Sequence, residues 1–176
     1  MKPARWLGLT FQMTIGQRLG LLFALVFFAL LTSIAMSLLI SRQTMLNDRQ
    51  ESARNVVETA YGVMQWYGNL ANEGKLTTDE AKAQVITIFR GLRYRGDQYF
   101  WINTNENRMV MHPTLPELDG RDLSDYRDIK GKTFFHDFVE VAKRDGGGFV
   151  TYYWPKPATQ EQTEKVSYVR LYEPWG

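Results

Sequence analysis

Residues 98–113 read QYFWINTNENRMVMHP, and the reading of this stretch decides the fold. QYFWIN and RMVMH are short apolar runs rich in residues that suit a pleated, half-buried surface. The Asn-rich connection at 103–107 is built from residues that favour tight turns. A β-hairpin is therefore expected here. Downstream, FVTYYW at 149–154 and VSYVRLY at 166–172 have the same character, so the four runs are expected to form an antiparallel sheet. Between the hairpin and the third strand lies a polar loop, residues 113–132, and then a helical segment at 133–143. Phe134, Phe138, Val141 and Ala142 share one face of that helix. The run DGGG at 145–148 supplies the turn out of it, because glycine reaches positive φ without steric cost.

Upstream the period changes to that of a helix. Residues 42–72 contain no proline and place Val56, Val57, Ala60, Val63, Met64, Tyr67 and Leu70 on one face. The first part, RQTMLNDRQESARN, is polar almost all round, so core burial cannot hold it; it is expected to project from a membrane or to pair with another chain. Thr77 with Glu80 forms a capping-box pattern ahead of Ala81, Val85, Ile88, Phe89 and Leu92 at helical spacing, which marks a second, shorter helix.

Residues 19–40, LGLLFALVFFALLTSIAMSLLI, carry no charge. At the helical rise this run covers about 30 Å, the thickness of a bilayer's hydrocarbon. A cleaved signal peptide is the alternative, but the apolar run continues to Ile40, past the small residues at 33–35. Lys2, Arg5 and Arg18 precede it, which places the N-terminus in the cytoplasm and the residues after about 41 outside it. Those three account for most of the charge asymmetry: the remaining 18 Lys and Arg meet 19 Asp and Glu. A near-neutral globular part lacks the basic face a nucleic-acid binder needs. The absence of cysteine excludes disulfides, thiolate metal sites and a cysteine nucleophile. The organisation expected is a cytoplasmic tail at 1–18, a transmembrane helix at 19–40 and one α+β extracytoplasmic domain at 41–176.

Alternation puts Tyr99 and Trp101 on one face of the first strand, and Tyr152 and Trp154 on one face of the third. Such rings serve a core or the walls of a small-molecule pocket. His112 closes the second strand before Pro113, and Lys165, just before the last strand, could serve as counter-charge for a carboxylate. Asp119, Asp122, Asp125 and Asp128 recur every third residue, which does not match the alternate-residue ligand pattern of a calcium loop; they are expected to form turns and caps, and no metal or cofactor is expected. No serine sits in a glycine-flanked elbow and His136 falls within a helix, so no catalytic triad is expected and the chain is not read as an enzyme.

YFWIN at 99–103, RMVMHP at 108–113, LDGRDLSDYRD at 118–128, GFVTYYWPKP at 148–157 and KVSYVRLYEPWG at 165–176 together resemble the single Cache (sCache) sensor domain, a PAS-like fold of bacterial methyl-accepting chemotaxis receptors and some sensor histidine kinases. The resemblance covers residue 42 to the end. It implies a pocket on one side of the sheet for small organic ligands, short-chain carboxylates being the usual class. Carried over position by position, its candidate lining is Tyr99, Trp101, Met111, His112, Tyr152, Trp154, Lys165 and Tyr168. Alternation places Met111 and His112 on opposite faces unless the strand bulges. The family pattern continues beyond the Pro-Trp-Gly at 174–176 into a further strand, a second span and a cytoplasmic output region, so a fragment is expected. It implies a receptor in the cell inner membrane, acting as a homodimer. A histidine kinase or diguanylate cyclase sensor, or a membrane-tethered solute-binding protein, are the competing readings.

Overall fold

The computed structural model describes residues 14–156 and 159–176, the side chain of Leu46 aside. Lys2 and Arg5, on which the expected orientation rests, and Pro157 lie outside the described residues. The chain divides into two compact units at Asn47/Asp48.

Helix α1, Ile15–Asn72, is continuous, where the sequence suggests a spanning helix followed by a stalk helix. No proline or helix-stopping signal lies between residues 40 and 42, so nothing breaks the backbone ladder there. Its apolar run is exposed throughout, and it is long and apolar enough to cross a membrane. Helix α2, Thr78–Gly91, starts as the sequence predicts: the Thr77 hydroxyl accepts the Glu80 amide at 3.2 Å while the Glu80 carboxylate accepts the Thr77 amide at 2.7 Å. Ala81, Val85 and Phe89 are its buried face. Helix α3, Phe134–Asp145, ends on Gly146 at φ +73°, the left-handed position that glycine fills without strain.

The sheet differs in detail from the expectation. In place of one continuous sheet there are three antiparallel pairs. They join β1, Arg93–Tyr94, to β2, Gln98–Tyr99; β3, Ile102–Asn103, to β4, Met109–Met111; and β5, Gly147–Pro155, to β6, Gln162–Arg170. The expected strand at 98–103 is split because its two halves take different partners: Gln98–Tyr99 pair back with Arg93–Tyr94, and Ile102–Asn103 pair on with Met109–Met111, leaving Phe100 and Trp101 outside either ladder. Strand β6 begins three residues before Lys165, so this lysine lies inside the strand and faces Tyr152 in register. Gly147 and Gly148, expected in the turn, are already paired with Arg170 and Val169.

The strands separate two cores. On one side Phe100 and Met111 pack with Ala60 of α1 and with Val85 and Phe89 of α2. On the other, α3 and the 113–132 loop bring Phe134, Phe135, Phe138, Leu118 and Leu123 against Met109, Val150, Tyr152 and Trp154. Phe134 stacks on Tyr152 with centroids 4.5 Å apart at 17°. The loop is fixed as the sequence suggests, by aspartates: Asp128 accepts the amides of Lys130, Lys132 and Tyr153, at 2.8, 3.0 and 2.9 Å, and Asp122 accepts that of Ser124 at 2.9 Å.

Phe134 is 1% exposed, so Phe134→Ala is expected to destabilise the domain by about 3–5 kcal/mol in urea unfolding, against about 1 kcal/mol for the exposed cap variant Thr77→Ala.

Candidate functional site

Six of the eight residues singled out in the sequence come together on the α3 side of the strands. Alternation along residues 99–102 sends Tyr99 and Trp101 to this side, and Phe100 and Ile102 to the helix side. On β4 the register slips between Ile102↔Met111 and Asn103↔Met109, which makes Val110 the extra residue of a bulge. The bulge lets Met109 join the α3-side core while Met111, 0% exposed, packs on the helix side. His112 then returns to the α3 side, its ring 5.1 Å from that of Tyr99 and 5.6 Å from that of Trp154. Strand β5 adds Tyr152 and Trp154, and β6 adds Lys165.

The polar ends of these side chains are tied to one another. The Trp154 indole N–H donates to the Tyr99 hydroxyl at 3.1 Å, and the Trp101 indole N–H to Asn103 Oδ1 at 3.1 Å. The buried hydroxyls of Tyr152 and Ser167 are bonded at 3.0 Å. Ser167 is two residues from Lys165 and so on the same face. That spacing is legible in the sequence, although the residue is not among those singled out there.

His112 is held at its amide and at its ring, and its amide partner is itself anchored. Its amide donates to Asp119 Oδ1 at 2.7 Å, the other oxygen of Asp119 binds Arg90 of α2 at 2.6 Å, and the Leu115 amide donates to His112 Nδ1 at 3.0 Å. An Nδ1 that accepts an amide proton carries none itself, so the neutral ring keeps its proton on Nε2. Burial, helped by the Lys165 charge and opposed by Asp119, lowers the His112 pKa to about 4. At neutral pH the ring is therefore an uncharged donor.

Lys165 is half-buried, with Nζ 4.4 Å from the centre of the Tyr99 ring. Burial lowers its pKa to about 8, a shift that Asp97 opposes. Among the described residues no carboxylate lies within ion-pair distance of it; Lys82, half-buried on the same cavity, and the exposed Lys130 and Lys143 are likewise without one, while Lys75, Lys132 and Lys156 have acidic partners. A cavity of about 400 Å³ opens beside Lys165, Tyr99, Trp101 and Ser167 and continues along Met64, Val85 and Phe89 on the helix side; His112, Tyr152 and Trp154 do not line it.

The remaining two candidates behave differently. Met111 belongs to the helix-side core, as the alternation argument anticipates. Tyr168 lines the cavity, but its hydroxyl donates to Glu58 of α1 at 3.2 Å. On α3, His136, Asp137 and Glu140 bring donor atoms within 4.8 Å of one another; His136 is exposed and Asp137 is already bound by Lys132 at 3.0 Å. It lies apart from the rings and offers no enclosed site.

Residues 30–176 match the Cache domain family model called dCache_2. The methyl-accepting chemotaxis protein McpP of Pseudomonas putida is 39% identical over 168 residues, which cover 94% of this chain and 30% of McpP. The sensor histidine kinase MctS of Rhizobium johnstonii is 27% identical over 133 residues, 76% of this chain and 28% of MctS. The chain thus spans under a third of the length of these curated relatives. Among solved structures, a periplasmic sensor domain of a chemotaxis protein superposes with a TM-score of 0.74 at 48% identity, covering 75% of this chain and 92% of that one. A Cache chemosensory domain described for carboxylic acid recognition gives 0.73 at 40% identity, with 76% and 91% covered.

Because the folded His112 titrates near 4 and an unfolded one near 6.5, the unfolded chain takes up this proton first. The stability that His112 contributes is full above pH 6.5 and is lost as pH falls towards 4, by about 3 kcal/mol. Urea unfolding of wild type and His112→Gln at pH 7 and pH 4.5 is expected to show a steeper acid loss in the wild type.

Proposed function

Since the chain belongs to the Cache domain family, we propose that it is the extracytoplasmic sensing region of a methyl-accepting chemotaxis receptor, and that it binds a short-chain carboxylate at Lys165. The observation that carries this reading is a half-buried lysine without an acidic partner among the described residues, set beside a neutral histidine and aromatic walls. Desolvating a cation is costly unless an anion repays it. An incoming carboxylate meets that need: Lys165 supplies the charge, the His112 Nε2–H and the Tyr99 hydroxyl are further donors, and Trp101, Tyr152 and Trp154 suit a short alkyl tail. Recognition of carboxylic acids by a Cache domain 40% identical to this one supports the ligand class.

The apolar run of α1 anchors the domain in the cell inner membrane in this reading, with residues before it cytoplasmic. The polar, exposed stretch of α1 after residue 41 pairs with its counterpart in a homodimer. Ligand binding favours one arrangement of the site, and the shift it produces is bounded by the ligand's differential affinity for the two arrangements. The similarity to MctS supports a second reading, in which the same sensing region serves a histidine kinase.

Calorimetric titration of the full chain in detergent micelles with acetate, propionate, pyruvate and lactate tests the site. At least one acid is expected to bind at pH 7, and Lys165→Met to weaken it by about 10-fold or more, the worth of one charge-assisted bond. Saturable binding that Lys165→Met leaves unchanged would sink the assignment. A second signature is the pH dependence: Lys165 loses its proton above about 8, so carboxylate affinity falls by up to about 10-fold per unit above that pH. An affinity flat from pH 7 to 10 would contradict it.

A further inference from the structure

The short hairpin of β1 and β2 forms a rim beside Lys165. Arg93 pairs with Tyr99 and Tyr94 with Gln98, so residues 95–97 are its turn, with Arg95 at φ +46° and Gly96 at φ +91°. Gln98 and Tyr99, the two residues that follow Asp97, line the cavity together with Lys165. Asp97 is thereby fixed at the edge of the opening, within electrostatic reach of the lysine: burial, the larger effect, lowers the Lys165 pKa, and the Asp97 charge works against it. The two make no ion pair, so Asp97 acts on the site without closing it.

This carboxylate is not spent on holding the turn. Asp122 and Asp128 accept backbone amides of their loops, whereas among the described residues the one hydrogen bond to the Asp97 carboxylate comes from the Gln98 side-chain amide, at 3.0 Å. The other charged groups nearby are engaged or turned elsewhere. Arg93 directs Nη1 to the Arg90 and Leu92 carbonyls at the end of α2, at 2.9 Å each, and the exposed Arg95 lies by Tyr94, on the β1 side of the turn. Asp119 is held by Arg90 and by the His112 amide, and His112 is neutral at pH 7. Lys82 lines the α2 wall of the cavity, with Val85 and Ile86. Between the rings and the rim, a small ligand thus meets one cation, Lys165, and one carboxylate without an ion-pair partner, Asp97.

We propose that Asp97 is a specificity-determining residue of the carboxylate site: it admits a ligand with one carboxylate to Lys165 and disfavours a small ligand that carries a second. The proposal rests on the carboxylate reading above. A monocarboxylate spends its charge on Lys165 and leaves an uncharged tail for the rings and the rim. The second carboxylate of a three-carbon diacid finds no further cation there, and at the rim it stands against Asp97. Discrimination of this kind comes from a repulsive group and not from a better contact to the preferred ligand. Asp97 is exposed, so its repulsion acts through water and is screened by salt. Rejection of a dianion by apolar walls is a desolvation effect that salt leaves in place.

Malonate is propionate with a carboxylate in place of its methyl group. It is titrated calorimetrically, beside the four monocarboxylates above, into the full chain in micelles at pH 7 for wild type, Asp97→Asn and Asp97→Glu, with circular dichroism to check the fold. The quantity read is the malonate Kd divided by that of the tightest monocarboxylate. In low salt this ratio is expected to fall about 5-fold in Asp97→Asn, the worth of two unit charges a few ångströms apart in water, and to stay within twofold of wild type in Asp97→Glu, which keeps the charge. In about 0.5 M salt, where the screening length is about 4 Å, the wild-type ratio is expected to approach that of Asp97→Asn. A ratio that Asp97→Asn leaves within twofold of wild type in low salt, or malonate that binds neither form, overturns the proposal and assigns the exclusion to the apolar walls. Wild type that binds malonate as tightly as a monocarboxylate also overturns it, with Lys82 then the second cation. Absence of binding by all four monocarboxylates in the wild type is a different result, which overturns the carboxylate reading and this inference with it.

Discussion

Successive side chains of a strand leave on opposite faces, and the rest of this domain depends on that constraint. From residue 99 to 102 the chain deals its side chains alternately to two cores: one under α1 and α2, one under α3. The bulge at Val110 keeps this division intact on β4, because it places Met109 and His112 with the α3-side rings and Met111 with the helices. Without it, the three residues could not be distributed that way. The same alternation on β6 puts Lys165 and Ser167 towards one core and Tyr168 towards α1. A strand that supplies residues to both faces joins the two cores mechanically, since it cannot shift for one without shifting for the other.

The electrostatics of the α3-side site follow from how His112 is held. The Leu115 amide occupies Nδ1, so the ring faces its surroundings as a neutral donor, and burial keeps it so at neutral pH. Lys165 is then the charged donor among the rings named here. The aromatic residues around it are already hydrogen-bonded in pairs, Trp154 to Tyr99 and Tyr152 to Ser167, so their positions are set before any ligand arrives. Preorganised donors of this kind lower the ordering cost of binding. Asp119 connects the arrangement to α2, because one of its oxygens fixes the His112 backbone and the other holds Arg90.

What the sequence discloses is mostly local. The Thr77–Glu80 capping box and the end of α3 at Gly146 are readable because each is decided within four residues. The six clustered site residues emerge partly from alternation and partly from the family resemblance. Non-local pairing is harder to see. Residues 162–164 are polar, and only their pairing with Tyr153, Trp154 and Pro155 makes them strand, so the sequence alone leaves Lys165 outside it. Pairing of Arg93–Tyr94 with Gln98–Tyr99 hangs on a tight turn with Arg95 and Gly96 at positive φ, a signal too short for periodicity to register. Phe135 falls off the expected face of α3 and is buried because Tyr126, from the loop, packs edge-on against it at 5.8 Å. Glu58 gives no sign of its contacts, since its partners lie 110 and 112 residues away.

The carboxylate binding proposed for this site rests on Lys165 being a desolvated cation that an anion stabilises. The direct measurement is its own titration, followed by NMR at the side-chain carbon next to the amine, with and without saturating propionate. A midpoint near 8 is expected in the free protein, moving upward when propionate binds, because a bound carboxylate favours the charged form. A lysine that titrates near the ordinary value of about 10.4, and stays there while propionate binds, would contradict that dependence.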